Sequence, residues 1–247
     1  MWKFVGKKLF LYDCYVCAMR RFLKIVFFYI PFCFVLFSLL VTLIYKWVPV
    51  SITPLMIERA YEFRNDPAFA THKKWVPLRD ISPELPLAVV ASEDNLFLEH
   101  SGFDFRQIRR ALEEAESGRR LRGASTISQQ TAKNVFLWPG RSWVRKGLEA
   151  YFTVLIELIW GKERIMEVYL NVAEMGKGIY GAEAAAEQLF GITAAQLDRH
   201  RSALVAASLP NPLVRKANAP TSYMKRRAAH IEWLMERVEW HTNGSSE

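Results

Sequence analysis

Two glutamates, Glu93 and Glu149, flank the polar run Gly123-Ala-Ser-Thr-Ile-Ser-Gln-Gln-Thr-Ala-Lys-Asn134, and cations recur around them at Arg110, Lys133, Arg141 and Arg145. A carboxylate can take the proton of a sugar hydroxyl while amides, hydroxyls and cations beside it hold an anionic leaving group. On a helix, Thr126, Gln130 and Lys133 fall three or four residues apart and share one face. Arg141, Arg145 and Glu149 repeat every four residues, with Leu148, Phe152, Leu155 and Ile159 supplying the apolar positions of the same helix. Taken alone, that second series is also the pattern of a solvated salt-bridge ladder. The neighbouring glutamine-rich face favours a site.

The elements that must position these residues are helical in period. Ser82-Pro83-Glu84 supplies an N-cap, a first-turn proline and a first-turn acid ahead of an apolar run, which predicts a helix carrying Glu93 near its C-terminal end. Asp104, with Gln107 at the capping-box position, is placed to start a second helix; Phe105, Ile108, Ala111, Leu112 and Ala115 form its expected inward stripe up to Gly118. A basic loop over 118–123 follows, and Ser125 is expected to cap the third helix. Further helices are predicted over 162–171, 180–189, 194–209 and 222–240. Strand patterns are short and weak, so the class is mainly α.

Ahead of these elements, residues 25–45 form 21 consecutive positions without a formal charge, long enough at about 1.5 Å per residue to cross a roughly 30 Å hydrocarbon core. Pro31 lies inside this span, where neighbouring backbone can absorb a kink. Lys3, Lys7, Lys8, Arg20, Arg21 and Lys24 face only Asp13 in the first 24 residues, which predicts a cytoplasmic N-terminus, and Trp47 suits an interface. No small-residue cleavage site follows in Tyr45-Lys-Trp-Val-Pro49, so the segment reads as a retained anchor. The expected organisation is a basic tail over 1–24, a transmembrane helix over 25–45, a connector over 46–76 and one domain over 77–247. The tail holds +5 of the net charge of +8, leaving too little elsewhere to suggest nucleic acid. Cys14 and Cys17 fall in the tail and Cys33 in the span, so no disulfide or thiolate metal site is expected beyond the membrane.

The series Glu93-Asp-x-x-Phe97-x-x-His100, the run from Gly123 to Asn134, Arg145-Lys-x-x-Glu149, Lys162-x-x-Ile-Met-Glu-Val-Tyr-Leu-Asn171 and Gly178-Ile-Tyr-Gly181, followed by Ala184-Ala-Ala and Phe190-Gly191, resembles the peptidoglycan glycosyltransferases of glycosyltransferase family 51. The likeness runs from about Pro77 to Leu213, and with no transpeptidase domain following it is closest in organisation to the monofunctional members. It implies a lysozyme-like helical domain with a small membrane-proximal lobe, held at the bacterial inner membrane with that domain outside. The implied activity is polymerisation of lipid II and the growing lipid-linked glycan, by inverting β-1,4 transfer with release of undecaprenyl pyrophosphate.

The resemblance also implies residue roles. Glu93 matches the catalytic glutamate; Lys133, Arg141 and Arg110 match a pyrophosphate clamp, joined by Arg145. Gln130 and Thr126 would position polar substrate atoms. Glu149 would assist, by orienting the cations or by binding a divalent cation, magnesium or manganese. Phe97 is expected either in the core or on the pocket wall, and His100 in a structural role. Asn171, Glu167 and the 178–191 segment are expected as framework. Ala124, where many members have glycine, and Leu189-Phe190, where an aromatic pair is frequent, depart from the pattern without touching the proton transfer. Phe136-Leu-Trp-Pro139 suits either core or lipid interface, and Ser222-x-x-Lys225 is expected to be surface helix and not an acylation site. Cell-wall synthesis or division proteins are expected partners. A membrane-anchored lytic transglycosylase or muramidase, and an inactive scaffold, are the alternatives. The clamp argues against the first, since glycan cleavage has no pyrophosphate to hold. Replacing Lys133 is expected to weaken donor use without moving the pH dependence set by Glu93.

Overall fold

The computed structural model describes residues 19–117, 125–140, 142–238 and 240. Lys3, Lys7, Lys8, Asp13, Cys14, Cys17, the 118–123 loop with Ala124, and Arg141 lie outside these residues, as do the side chains of Leu112 and Ala115. The chain divides into two compact units, Met1–Tyr45 and Lys46–Glu247.

The first unit contains helix α1, Met19–Tyr45, which is long and apolar enough to cross a bilayer, with mean hydropathy 2.5 over its most apolar window. Its turn over Ile25–Tyr29 is a π-helix, in which the Ile30 amide donates to Ile25 O. Pro31 explains this widening: its ring crowds the carbonyl four residues earlier, and a wider turn relieves the clash. Ser38 and Thr42 donate to Val35 O and Ser38 O at 2.9 and 2.7 Å, so neither hydroxyl is left to the lipid unsatisfied.

In the second unit, the segment expected as a connector is folded. Thr53 caps α2 (Pro54–Glu62), Val50, Thr53 and Met56 are buried, and Arg59 donates through Nε to Glu174 at 3.2 Å. Strand β1 (His72–Lys73) then pairs in parallel with β3 (Ile179–Tyr180), which pairs antiparallel with β2 (Glu174–Gly176). The domain therefore begins at Lys46 and not at Pro77. A nine-residue helix among prolines and charges has too few turns to show its period, and its partner Glu174 lies 115 residues away from Arg59.

Helix α3 (Glu84–Glu93) starts one residue later than Ser82 capping implies, but Ser82 Oγ still accepts from the Glu84 amide at 3.4 Å. Leu85, Ala88 and Val89 are fully buried. Helix α4 (Phe105–Glu116) begins as expected, with Asp104 accepting from the Gln107 amide at 2.9 Å. Its inward stripe is shorter than predicted, because Phe105 is 74% exposed. Helix α5 (Ile127–Phe136) is capped by Thr126 in place of Ser125, and Gln129 closes a capping box with it. Ser142 caps α6 (Trp143–Ile159), and Phe136 stacks on Phe152 with ring centroids 4.4 Å apart.

Then come α7 (Lys162–Val172) and α8 (Ala182–Phe190). The helix predicted over 194–209 divides into a 3-10 turn, Ala194–Gln196, and α9 (Arg199–Ser208), because Asp198 caps a fresh start by accepting from the Arg201 amide at 2.7 Å. Helix α10 (Ser222–Met235) ends before the predicted Trp240. Asn171 exchanges two 2.9 Å bonds with the backbone of Val76, and Glu167 accepts from the Leu78 amide at 2.9 Å, which pins the approach to α3 onto α7. Gly181 has φ +85°, and a Cβ there would stand 2.8 Å from Asn171 O. Helix α3 packs against α9 and α10, while α5 packs against α6 and α7.

Candidate active site

Glu93 is the last residue of α3, where the chain leaves the helix and a half-buried carboxyl faces α5. Gln130 donates through Nε2 to Glu93 Oε2 at 3.0 Å. Burial pushes the Glu93 pKa up; the Gln130 hydrogen bond and the fields of Arg227, Lys133 and Arg215 oppose the rise without cancelling it. A base tuned above the ordinary carboxylate range is better matched to a proton transfer near neutral pH. Gln130 in turn accepts from the Tyr169 hydroxyl at 3.2 Å. Tyr169 is fully buried, and burial together with the charges of Glu93 and Asp94 holds its pKa well above the usual phenol range, so it acts as a neutral donor.

Lys133 lies one turn beyond Gln130. Burial lowers its pKa, Glu149 and Glu93 pull it back up, and Arg145 and Lys146 push it down. Glu149 is buried and accepts from Arg145 Nη1 at 3.0 Å and from Lys146 Nζ. The Arg145–Glu149 pair is therefore buried rather than part of a solvated ladder. Arg145 Nε is also buried, without a partner among the described residues. Gln130, Lys133, Asn134, Trp138, Arg145 and Tyr169 line a cleft of about 360 Å3. Such a cleft presents positive charge and amide donors beside a carboxylate, an arrangement able to hold an anion while a proton is removed nearby.

The donor set does not fit a divalent cation. Both Glu149 oxygens accept from cationic side chains, and among the described residues no group of three or more His, Cys, Asp or Glu side chains could hold a metal ion.

Several expected site residues take other places. Thr126 is buried and donates to Gly102 O at 2.7 Å while capping α5, so it positions the helix rather than substrate. Phe97 is fully buried and belongs to the core, packed on Trp240 with Lys162 Nζ 4.5 Å from its ring centre. Arg110 is exposed on α4, and the leading charges at Glu93 and Lys133 come from other residues. Asp94 accepts from His100 Nε2 at 2.8 Å and from the Ile127 amide at 3.0 Å, while His100 Nδ1 accepts from the Gly102 amide at 3.1 Å. The Asp94 carboxylate thus ties the end of Glu93's helix to the N-terminus of Gln130's helix, where the helix dipole favours negative charge.

Tyr169, Lys146, Arg215 and Arg227 were missed from sequence. Tyr169 and Lys146 stand inside the motifs Lys162–Asn171 and Arg145–Glu149, without a role of their own there. Arg215 and Arg227 carried no local signal. Ser222 and Lys225 are exposed at the start of α10.

A family model described as Transglycosylase matches residues 61–236. The chain belongs to this family of peptidoglycan transglycosylases. A Bacteroides thetaiotaomicron protein named biosynthetic peptidoglycan transglycosylase is 55% identical over 202 residues, covering 81% of this chain and 82% of that protein. One of the same name from Caulobacter vibrioides is 56% identical over 189 residues, covering 76% and 80%. A third, from Stutzerimonas stutzeri, is 52% identical over 202 residues, covering 81% and 84%. The transglycosylase is thus a glycosyltransferase with the lysozyme-like, mainly helical domain expected, and the scaffold and glycan-cleaving alternatives give way to it. Among the described residues one apolar helix, near the N-terminus, is long enough to cross a membrane, which fits a single-pass anchor.

Proposed function

We propose that this transglycosylase polymerises lipid II into glycan strands. Glu93 removes the proton from the GlcNAc 4-hydroxyl of the acceptor as that oxygen attacks MurNAc C1 of the lipid-linked donor. The C1–O bond to the pyrophosphate breaks on the opposite face, so an α-linked donor gives a β-1,4 product and undecaprenyl pyrophosphate departs. Lys133 and Arg145 line the cleft that receives the leaving charge, and Arg141 joins them in the family pattern. The observation that carries this reading is the desolvated Glu93 carboxyl beside a cleft lined by Lys133 and Arg145. An enzyme that only cleaves glycan has no growing phosphate charge to meet there.

Glycan polymerisation is the activity proposed, without transpeptidation; the exposed Ser222 and Lys225 lack the enclosure that acylation needs. The N-terminal tail is proposed to be cytoplasmic, with the catalytic domain outside the inner membrane. A divalent cation would have to draw its ligands from the substrate phosphates, because Glu149 is engaged by Arg145 and Lys146. Chelator titration of Glu149→Gln beside the unaltered enzyme checks that point. Incubating the purified protein with labelled lipid II in detergent and resolving the products by size tests the main reading. Polymer that a muramidase then digests is the expected result; breakdown of preformed glycan with no polymer from lipid II would overturn it.

A further inference from the structure

A glutamine side chain has nearly the same shape with its amide turned through half a circle, yet only one orientation serves Glu93. With Nε2 toward the carboxylate, Gln130 donates at 3.0 Å; turned over, it would press its carbonyl oxygen against a negative charge. Something must select between the two. Ser125 O accepts from the same Nε2 only at 3.5 Å, a weak restraint. The Tyr169 hydroxyl meets the other end of the amide, at 3.2 Å from Oε1, on a side chain that is fully buried in α7.

We propose that Tyr169 is a positioning residue, whose hydroxyl holds Gln130 with its amide nitrogen facing the Glu93 carboxylate. The inference rests on Glu93 being the base. A buried phenol whose ionisation is suppressed keeps its hydrogen, and that hydrogen has to be given to an acceptor. Gln130 Oε1 is the acceptor it has among the described residues, so turning the amide would leave the phenol hydrogen without an acceptor and set two acceptors against each other at Glu93. The groups around Glu93 are Lys133 and Gln130 from α5, Tyr169 from α7, Arg215 from the segment after α9, Arg227 from α10, and Asp94 next in the chain. Among the described residues, Gln130 alone donates a hydrogen bond to the carboxylate, and it is the one Tyr169 holds. That bond lowers the Glu93 pKa against the rise from burial. Loosening it therefore moves the acid limb of activity to higher pH.

The test uses the full-length enzyme in detergent with lipid II, following kcat and KM across pH. Tyr169→Phe keeps the ring and its volume, and is expected to lower kcat roughly 3- to 10-fold with KM within about twofold, as for loss of one ordered hydrogen bond. The acid limb of kcat/KM should move upward. Gln130→Met, at a half-buried cleft position, should move the limb in the same direction, and adding Tyr169→Phe to it should change nothing further. A packing role would instead give the same fractional loss in both backgrounds with an unmoved limb, and that result overturns the proposal. So does an unmoved limb in Gln130→Met. Glu93→Gln separates the two levels: near-normal polymerisation by that variant sinks the reading of Glu93 itself. An inactive Glu93→Gln protein with an unaltered Tyr169→Phe profile sinks only the positioning role.

Discussion

Glu93 holds its charge against its own burial, and that opposition is measurable in both activity and stability. Glu93→Gln keeps the shape and the contact with Gln130 but cannot take a proton, so polymerisation should fall by about 100-fold or more. The same variant should be the more stable protein at neutral pH. The folded-state pKa of Glu93 is raised, so its ionisation is harder in the folded protein, and stability is lost as pH rises through that folded value. Thermal melts of the two proteins should converge below the ordinary carboxylate range and separate above it; a wild type more stable at neutral pH would contradict the burial. Lys133 bears on the same titration. Its field lowers the Glu93 pKa, so Lys133→Met should shift the acid limb of kcat/KM upward while weakening donor use. Donor binding and proton removal are then expected to be coupled, where the sequence alone led to an expectation of independence. An acid limb that stays put in Lys133→Met would restore that independence.

The placing of the elements depends on a few polar side chains at their ends. Thr126 caps α5 and bonds Gly102 O at 2.7 Å, so Thr126→Ala should lower stability by about 1 kcal/mol, with kcat falling only as far as the start of α5 moves. Chemical denaturation checks the first part; an unchanged midpoint would remove the cap from the account. Helix starts were legible because caps are local, as Asp104 demonstrates. The misplaced start at Ser125 was also legible in principle: Thr126-x-x-Gln129 fits a capping box and Ser125-x-x-Ser128 does not. Helix α2 was not legible. Its burial depends on partners such as Glu174, 115 positions away, and nothing in its own nine residues announces them. Phe105 erred the other way, since a helical stripe fixes an angle about the axis but not whether a neighbour covers it.

At the scale of the whole molecule, the membrane unit and the catalytic unit are compact on their own terms. A chain lacking residues 1–45 should therefore fold with an unaltered thermal transition in its domain, yet polymerise lipid II in vesicles more slowly than in detergent, because the tether no longer concentrates it at the surface. Equal rates in vesicles with and without those residues would remove the anchor from the mechanism. The six cations and one anion of the first 24 residues set the proposed topology. A reporter before Met1 should be cytoplasmic and one after Glu247 outside, with protease from outside degrading the domain; protection of the whole chain would reverse the orientation.

The sequence by itself determined the long apolar N-terminal helix, the mainly helical class and the helices that carry Glu93, Gln130, Lys133 and Glu149. Each is written in local order: an uncharged run, a 3.6-residue period, a cap, a three- or four-residue spacing. Tertiary structure alone decided which side chains surround Glu93. The fields of Arg215 and Arg227 act on it from the segment after α9 and from α10, Tyr169 reaches it through Gln130, and Asp94 joins the two helix ends that bring Glu93 and Gln130 together. It also withdrew Thr126 and Phe97 into capping and core. The physical reason is the same in each case. Burial and electric field depend on distances in space between segments far apart along the chain, and no local pattern of residues encodes those distances.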